Sequence, residues 1–493
     1  MWKSYSNKMF YRDNMNVHII FNIIGRLLLL LGFIMIIPLF VALYYGEPIE
    51  PFTVAITMTI LVGTVFLFLF RSTEDEWHHR EGFAIVALGW LFAAIFGSIP
   101  YMLDGVTPLN AFFESMSGFT TTGSTVFVNI EAHPKGILFW RNMTEWLGGM
   151  GIIVLFIAIL PKLGVAGRQM FRAEVPGPQE DKLKPRIRET SKILWMVYLV
   201  VSIAEAIALK LAGLSVYDAV THTFTTVSCG GFSPYARSIE AFGSPLVETI
   251  IMVFIFISGA NFALHYKTLY ASRKSLIKDD EFKFYSFVIF SAIALLTLIL
   301  WRDINIPIIE SLRYAAFQVL TIITTTGYAT TDFIAWPHSA QMILLILMFA
   351  GGCAGSTAGG PKMVRWLLML KYSRREIFKV IHRRAVTRIK FNKKSVPEDI
   401  MQSVISFIAI YFLIFAASSV LLGLLGMDLV SSITASIATL GNIGPGLGAV
   451  GPMDNFDVVP ALGKVALIGN MWMGRLEIFT VFVMLTPEYW KKW

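Results

Sequence analysis

Apolar residues run along this chain in blocks too long for a soluble core. NVHIIFNIIGRLLLLLGFIMIIPLFVALYY (16–45) and PFTVAITMTILVGTVFLFLF (51–70) each reach the roughly 20 residues that carry a helix across a bilayer. Further blocks at 82–103, 137–161, 192–213, 244–266, 284–301, 340–370, 401–425 and 462–486 bring the expectation to about ten crossing helices. Between them lie shorter apolar segments at 107–119, 215–226, 309–323 and 429–440, too short to cross and suited to helices that enter and stop. The first block lacks a small-residue cleavage site and a second follows at once, so it reads as a retained helix rather than a signal peptide.

Each short segment runs into small polar residues around a glycine. The stretches read SGFTTTGSTVF (117–127), TTVSCGGFSP (225–234), IITTTGYATTDF (322–333) and TLGNIGPGLG (439–448). The order crossing helix, short helix, glycine stretch, crossing helix thus recurs over about 82–162, 190–270, 284–372 and 400–487, and such recurrence defines an architecture before any motif does. Aligned on glycine, the copies give Thr121-Thr122-Gly123, Ser228-Cys229-Gly230, Thr325-Thr326-Gly327 and Asn442-Ile443-Gly444. All four enter and leave on the same sides. The expected fold is an all-α integral membrane protein of four parallel helix–pore loop–helix repeats around a pseudo-fourfold pore, preceded by two extra crossing helices. Inverted repeats, common in solute carriers, are not indicated.

Non-helical backbone at membrane depth survives only where protein buries it or where it lines a watery path. Glycine reaches the positive φ values that turn consecutive carbonyls one way, and rings of carbonyls can replace the hydration shell of a potassium ion. The carboxyl end of each short helix, the negative end of its dipole, favours a cation. Small residues in membrane helices also mark close packing, but packing does not explain four glycine stretches, each placed after a non-crossing helix.

Composition agrees. Of 493 residues, 55% are hydrophobic and 15% charged, against about a quarter charged in soluble domains. The net charge of +8 would suggest nucleic acid in a soluble chain. Here Lys and Arg gather in alternate loops: eight in 162–192, five in 267–283 and eleven in 365–394, with none in 46–51 or 328–340. That is an orientation signal, and it puts Lys3, Lys8, Arg12 and the terminal KKW on the cytoplasmic side. Segment 372–394 could also dock an acidic partner or lipid. The two cysteines, Cys229 and Cys353, indicate no disulfide framework. His78 and His79 have no ligand spacing, and no phosphate-binding or dinucleotide glycine loop is present. No cofactor is expected, and any nucleotide control must come from another chain.

WLGGMGIIVL (146–155), FTTTGST (119–125), TTTGY (324–328), AGGCAGSTAGGPK (350–362), NIGPGLG (442–448) and GRLEIFT (474–480) resemble the Trk/Ktr/HKT superfamily of potassium transporters, most closely its TrkH/TrkG branch, over essentially the whole chain. The resemblance implies one filter glycine per repeat, at Gly123, Gly230, Gly327 and Gly444. It also implies a homodimer in the bacterial cytoplasmic membrane and a TrkA-type cytoplasmic nucleotide-binding regulator. In HKT relatives, serine at the first glycine accompanies sodium permeation, so Gly123 points to potassium. Cys229 stands where threonine is expected, and Glu145 where glutamine is more common. The domains expected are 1–75 (two leading helices), 76–165, 166–270, 271–395 and 396–493 (one repeat each).

Five glycines in AGGCAGSTAGG (350–360) would break a helix, at about 1 kcal/mol each against alanine. Gly351, Gly352, Gly355, Ser356, Gly359 and Gly360 match the superfamily's intramembrane gating loop, although a simple packing kink would also account for the glycines. Arg475 lies inside the last apolar block, where a charge costs at least about 2.5–3.5 kcal/mol. It resembles the superfamily's pore arginine. Its bland alternative is a salt bridge to another helix or to Glu477, which two residues on would leave by another helical face. Glu114 and Asp218 are candidates for holding the filter or drawing cations, Glu205 for helix packing, and His222 for packing behind the second stretch. The rival to a channel-like pore is proton- or sodium-coupled symport, which needs a titrating acid among Glu114, Asp218 and Glu205. A membrane enzyme would need converging nucleophiles and bases, and none stand out.

Overall fold

The computed structural model describes residues 15–71, 79–151, 187–270, 272–385 and 387–490. The second half of block 137–161, most of the basic stretch 162–192, His78, Lys3, Lys8, Arg12 and the terminal KKW lie outside the described residues.

Almost every element is a helix. Six helices among the described residues are long and apolar enough to cross a membrane: Val17–Tyr45, Glu50–Leu69, Arg80–Leu103, Ser191–Leu211, Asp280–Asp303 and Glu398–Leu424. Two further blocks are broken rather than continuous. Pro245–Ser258 and Phe262–Tyr270 meet at 93°, and Ala461–Arg475 and Phe479–Leu485 at 118°. Block 340–370 is likewise split into His338–Met348 and Met363–Ile381 around a loop. About ten crossings were expected, the one over 340–370 broken by its glycines. Counting each bent pair as one span gives up to eight among the described residues.

The leading pair packs through small residues. A side chain at Gly25 would come within 2.9 Å of the Gly63 carbonyl, and one at Gly63 within 2.9 Å of the Gly25 carbonyl, the close approach that small residues allow between membrane helices. Phe21, Phe66, Phe70 and Phe92 stack beside this crossing. Large apolar side chains such as Phe68, Phe287, Leu298, Leu413 and Val420 stay exposed, on helices whose length suits lipid contact.

The short helices are Pro108–Phe119, Val216–Val227, Ile308–Ile323 and Leu429–Leu440, within a few residues of expectation. Their starts are locally encoded. Ser215 and Asp428 cap the amides of Asp218 and Ser431 at 3.0 Å, as short polar side chains do at helix N-termini. Pro108 occupies the first helical turn, where its missing N–H costs nothing. The one sheet among the described residues is a hairpin pairing Lys390 with Ser395 and Phe391 with Lys394. Its turn, Asn392-Lys393, has φ of 48° and 66°, the left-handed pair a tight hairpin requires.

Candidate functional site

All four short helices end alike. Thr120, Ser228, Thr324 and Gly441 close them. The next residues, Thr121, Cys229, Thr325 and Asn442, are left-handed, with φ of 52°, 56°, 58° and 53°. Then the amides of Thr122, Gly230, Thr326 and Ile443 reach back at 2.8–2.9 Å to the carbonyls of Ser117, Thr225, Thr321 and Ala438. This is a Schellman closure. Asn442 suits its left-handed position, whereas a β-branched threonine there is sterically costly. One residue further stand Gly123, Gly231, Gly327 and Gly444, with φ of 77°, 84°, 77° and 105°.

The second stretch is therefore one residue out of the register read from its glycines. Cys229-Gly230-Gly231 corresponds to Thr121-Thr122-Gly123, and Ser228 corresponds to Thr120. Gly231, not Gly230, is the counterpart of Gly123. Two adjacent glycines made the first of them the natural anchor for alignment; backbone dihedrals decide otherwise.

The glycines interlock with neighbouring carbonyls in cyclic order. A β-carbon on Gly123 would overlap the carbonyl oxygen of Gly230, one on Gly231 that of Thr326, and one on Gly327 that of Ile443. A β-carbon on Gly444 would lie 2.9 Å from the carbonyl oxygen of Thr122, which closes the circle. Ser124 adds a hydroxyl bond of 2.8 Å to the Gly444 carbonyl. Gly123, Gly231, Gly327 and Gly444 line one cavity, together with Asp454. Partial burial, then the nearby Asp332 carboxylate, raises the Asp454 carboxyl above the usual aspartate range.

The left-handed residues meet a second group. The Thr121 hydroxyl accepts from Arg475 Nη1 at 2.8 Å. Cys229 Sγ lies 3.2 Å from Thr357 Oγ1, and the Thr325 hydroxyl accepts the Gly359 amide at 2.6 Å. A β-carbon on Gly359 would stand 2.7 Å from the Gly441 carbonyl and 2.8 Å from Asn442 Cβ. The 350–361 loop thus touches the second, third and fourth stretches, and Arg475 joins it to the first.

The loop is anchored at its neck and at the bend of the 245–270 pair. Gly351 donates to Pro361 at 3.0 Å and Met363 to Gly352 at 3.1 Å. Cys353 donates to the Gly259 carbonyl at 2.8 Å, and Phe262 to the Gly355 carbonyl at 3.0 Å. These bonds occupy backbone groups freed by the 93° break, the condition under which a helix can be interrupted in a membrane. Gly355 and Gly360 have φ of 75° and 63°. Ser356 Oγ is buried without a hydrogen-bond partner among the described residues. Buried Lys362 bonds the Ala358 carbonyl. Glu281 Oε1 accepts the amides of Ala354 at 2.7 Å and Val364 at 2.9 Å, one within the loop and one in the first turn of the helix that follows it.

Arg475 also donates from Nη1 to the Thr357 carbonyl at 2.9 Å and from Nη2 to the carbonyls of Gly148 and Gly149, both at 2.7 Å. Its helix stops at this residue, and Glu477 and Ile478 are left-handed at φ of 56° and 38°. Glu477 therefore lies beyond the helix, and helical spacing does not set its direction. Glu477 instead pairs with Arg365, through one bond of 3.1 Å and a second, shorter one.

Glu114 and Asp218 brace the stretches. Glu114 takes the Val126 amide at 2.8 Å, the Thr125 hydroxyl at 2.9 Å and Arg141 Nε at 2.6 Å. Asp218 accepts the Tyr235 hydroxyl at 2.9 Å. Buried His222 lies behind the second stretch, 3.1 Å from Ser233 Oγ. Its carbonyl takes the Tyr328 hydroxyl at 3.1 Å. Glu205 is fully buried. Sequence reasoning missed Arg141, Glu281 and Tyr328. Arg141 was detectable as a charge within an apolar block, whereas Glu281 looked like any acidic helix start.

The model of the TrkH family, described as cation transport protein, matches residues 48–492. The Trk system potassium uptake protein TrkH of Escherichia coli (strain K12) is 41% identical, over 97% of this chain and 100% of its own length. The Trk system potassium uptake protein TrkG of the same strain is 33% identical, over 97% of this chain and 99% of its own. The crystal structure of the potassium transporter TrkH from Vibrio parahaemolyticus superposes with a TM-score of 0.88 at 38% identity, covering 97% of this chain and all of that one. The chain belongs to the TrkH family of cation transport proteins.

Proposed function

We propose that this chain takes up potassium across a bacterial cytoplasmic membrane through a channel-like pore, its termini on the cytoplasmic side. Segments 76–165, 166–270, 271–395 and 396–493 are four parallel repeats around the pore, after a leading pair in 1–75. The stretches Thr121–Gly123, Cys229–Gly231, Thr325–Gly327 and Asn442–Gly444 form the filter, and Ser228 lies just behind it as a helix cap. Backbone carbonyls there replace the ion's water. The observation that carries this reading is the closed circle in which each filter glycine rests on its neighbour's carbonyl. A side chain at any of the four would push a carbonyl out of place.

Beneath the filter, the loop holding Gly351, Gly352, Gly355, Ser356, Gly359 and Gly360 acts as the gate, and Arg475 adds a positive barrier. A membrane potential supplies about 2.3 kcal/mol per charge per 100 mV for inward movement, and gate opening lets it act. The basic segment 365–394 is the docking surface for a cytoplasmic TrkA-type nucleotide-binding regulator, and the working unit is a homodimer. Reversing Arg383 and Arg384 should weaken regulator binding; intact binding would defeat that assignment. Ion-coupled symport is not favoured, because none of Glu114, Asp218 and Glu205 lines the cavity: Glu114 and Asp218 are engaged as braces, and Glu205 is fully buried.

The test is rubidium uptake by liposomes holding the purified protein, with the regulator present. Uptake that resists excess sodium supports the reading. Uptake abolished by collapsing a proton gradient at constant membrane potential supports coupled transport instead.

A further inference from the structure

The filter stretches differ at the residue bearing the ring carbonyl. In the first, Thr122 Oγ1 lies 2.8 Å from Thr120 Oγ1. In the third, Thr326 Oγ1 lies 2.9 Å from Thr324 Oγ1. Each side chain ties its carbonyl-bearing residue to the end of the short helix. In the fourth, the fully buried Ile443 is held by apolar packing. The second stretch has Gly230 there, with no side chain to hold.

Helix Lys135–Gly149 fills the gap. A β-carbon on Gly230 would overlap the carboxyl group of Glu145. Glu145 is fully buried, and its Oε2 accepts the Phe232 amide at 3.1 Å. One turn earlier, Arg141 donates to the Ser233 carbonyl at 2.9 Å and lies 3.5 Å from the centroid of the Phe232 ring. One helix therefore meets residues 230, 232 and 233. Gly230 is not among the positive-φ residues, so its backbone would accept a side chain if Glu145 were absent. Glu145 Oε1 makes no hydrogen bond among the described residues, so one acceptor atom and the volume behind it are what the site uses.

We propose that Glu145 is a positioning residue for ion selectivity, standing through space where the side chain of Gly230 would be and fixing the Gly230 carbonyl in the ring. The proposal rests on the filter reading above. Since only one acceptor is used, an amide should serve as well as a carboxyl.

The experiment compares rubidium uptake with and without competing sodium in liposomes, for five variants that insert and elute as the parent does. Glu145→Gln should keep the parent's selectivity. Glu145→Ala should lower it about tenfold, the lower end of what one well-placed contact contributes to discrimination. Gly230→Thr should also lower it, by collision with Glu145. Gly230→Thr with Glu145→Ala should recover most of the loss, because the new hydroxyl can meet Ser228 as Thr122 meets Thr120. Parental selectivity in Glu145→Ala, or a double variant no better than Gly230→Thr alone, would overturn the proposal. Should Glu145→Ala fail to insert, the double variant against Gly230→Thr decides. Gly231→Ala separates the two levels: if it leaves selectivity intact, the filter reading itself fails, and if it abolishes selectivity while Glu145→Ala does not, only the Glu145 assignment fails.

Discussion

Arg475 Nη1 stands 2.8 Å from the Thr121 hydroxyl and 2.9 Å from the Thr357 carbonyl. A single guanidinium thus joins the first glycine stretch to the 350–361 loop. On the proposed function, a fixed positive charge at that point opposes any cation leaving the filter, and its bonds hold the loop in place.

Arg475→Ala removes both effects. Each 1.36 kcal/mol taken from a barrier is tenfold in rate, so a gain on the order of tenfold in rubidium flux is expected without the regulator. Stopped-flow flux from liposomes measures it. Unchanged or lower flux in a properly inserted variant would count against the barrier.

Thr325 supplies the acceptor for the Gly359 amide at 2.6 Å. Thr325→Val keeps the β-branched shape and removes that acceptor, which strands a buried N–H at roughly 1–3 kcal/mol. Basal flux should rise while the preference for potassium over sodium persists. A lost preference with no rise in flux would mean that the hydroxyl serves the filter rather than the loop.

Glu281 accepts amides from Ala354, within the loop, and Val364, in the helix that follows it. Glu281→Ala strands both donors, at roughly 1–3 kcal/mol each. The variant should melt at lower temperature and leak ions, whereas Glu281→Gln, which keeps an acceptor, should lose less. Equal behaviour of the two variants would show that the negative charge, not the acceptor, matters.

Gly231 has φ of 84° and rests on the Thr326 carbonyl. Gly231→Ala adds the left-handed penalty of about 1–2 kcal/mol to a collision with a ring carbonyl. Potassium-selective uptake should fall to background. Gly444→Ala, whose β-carbon would stand 2.9 Å from the Thr122 carbonyl, should be the milder of the two. Competition uptake assays rank them.

The short helices were legible because their boundaries are local: Ser215 and Asp428 cap two starts, Pro108 marks a third, and the polar stretches mark the ends. The loop at 350–361 was legible from its glycines. Register in Cys229-Gly230-Gly231 was not, since a composition pattern cannot say which of two glycines takes positive φ. Nor were the breaks at 259–261 and 476–478, where a sharp turn lies inside a largely apolar run and no proline marks it. The partners of Glu281 and Glu477 lie 73 to 112 residues away, and no local pattern encodes such pairs.

The central claim is that the carbonyls of Thr122, Gly230, Thr326 and Ile443 take the place of an alkali cation's water. Anomalous scattering from crystals grown in rubidium or thallium salts tests it most directly. The account predicts a peak enclosed by those four oxygens, lost when sodium replaces the heavier ion. A peak elsewhere, with the space between the four oxygens empty, would contradict it.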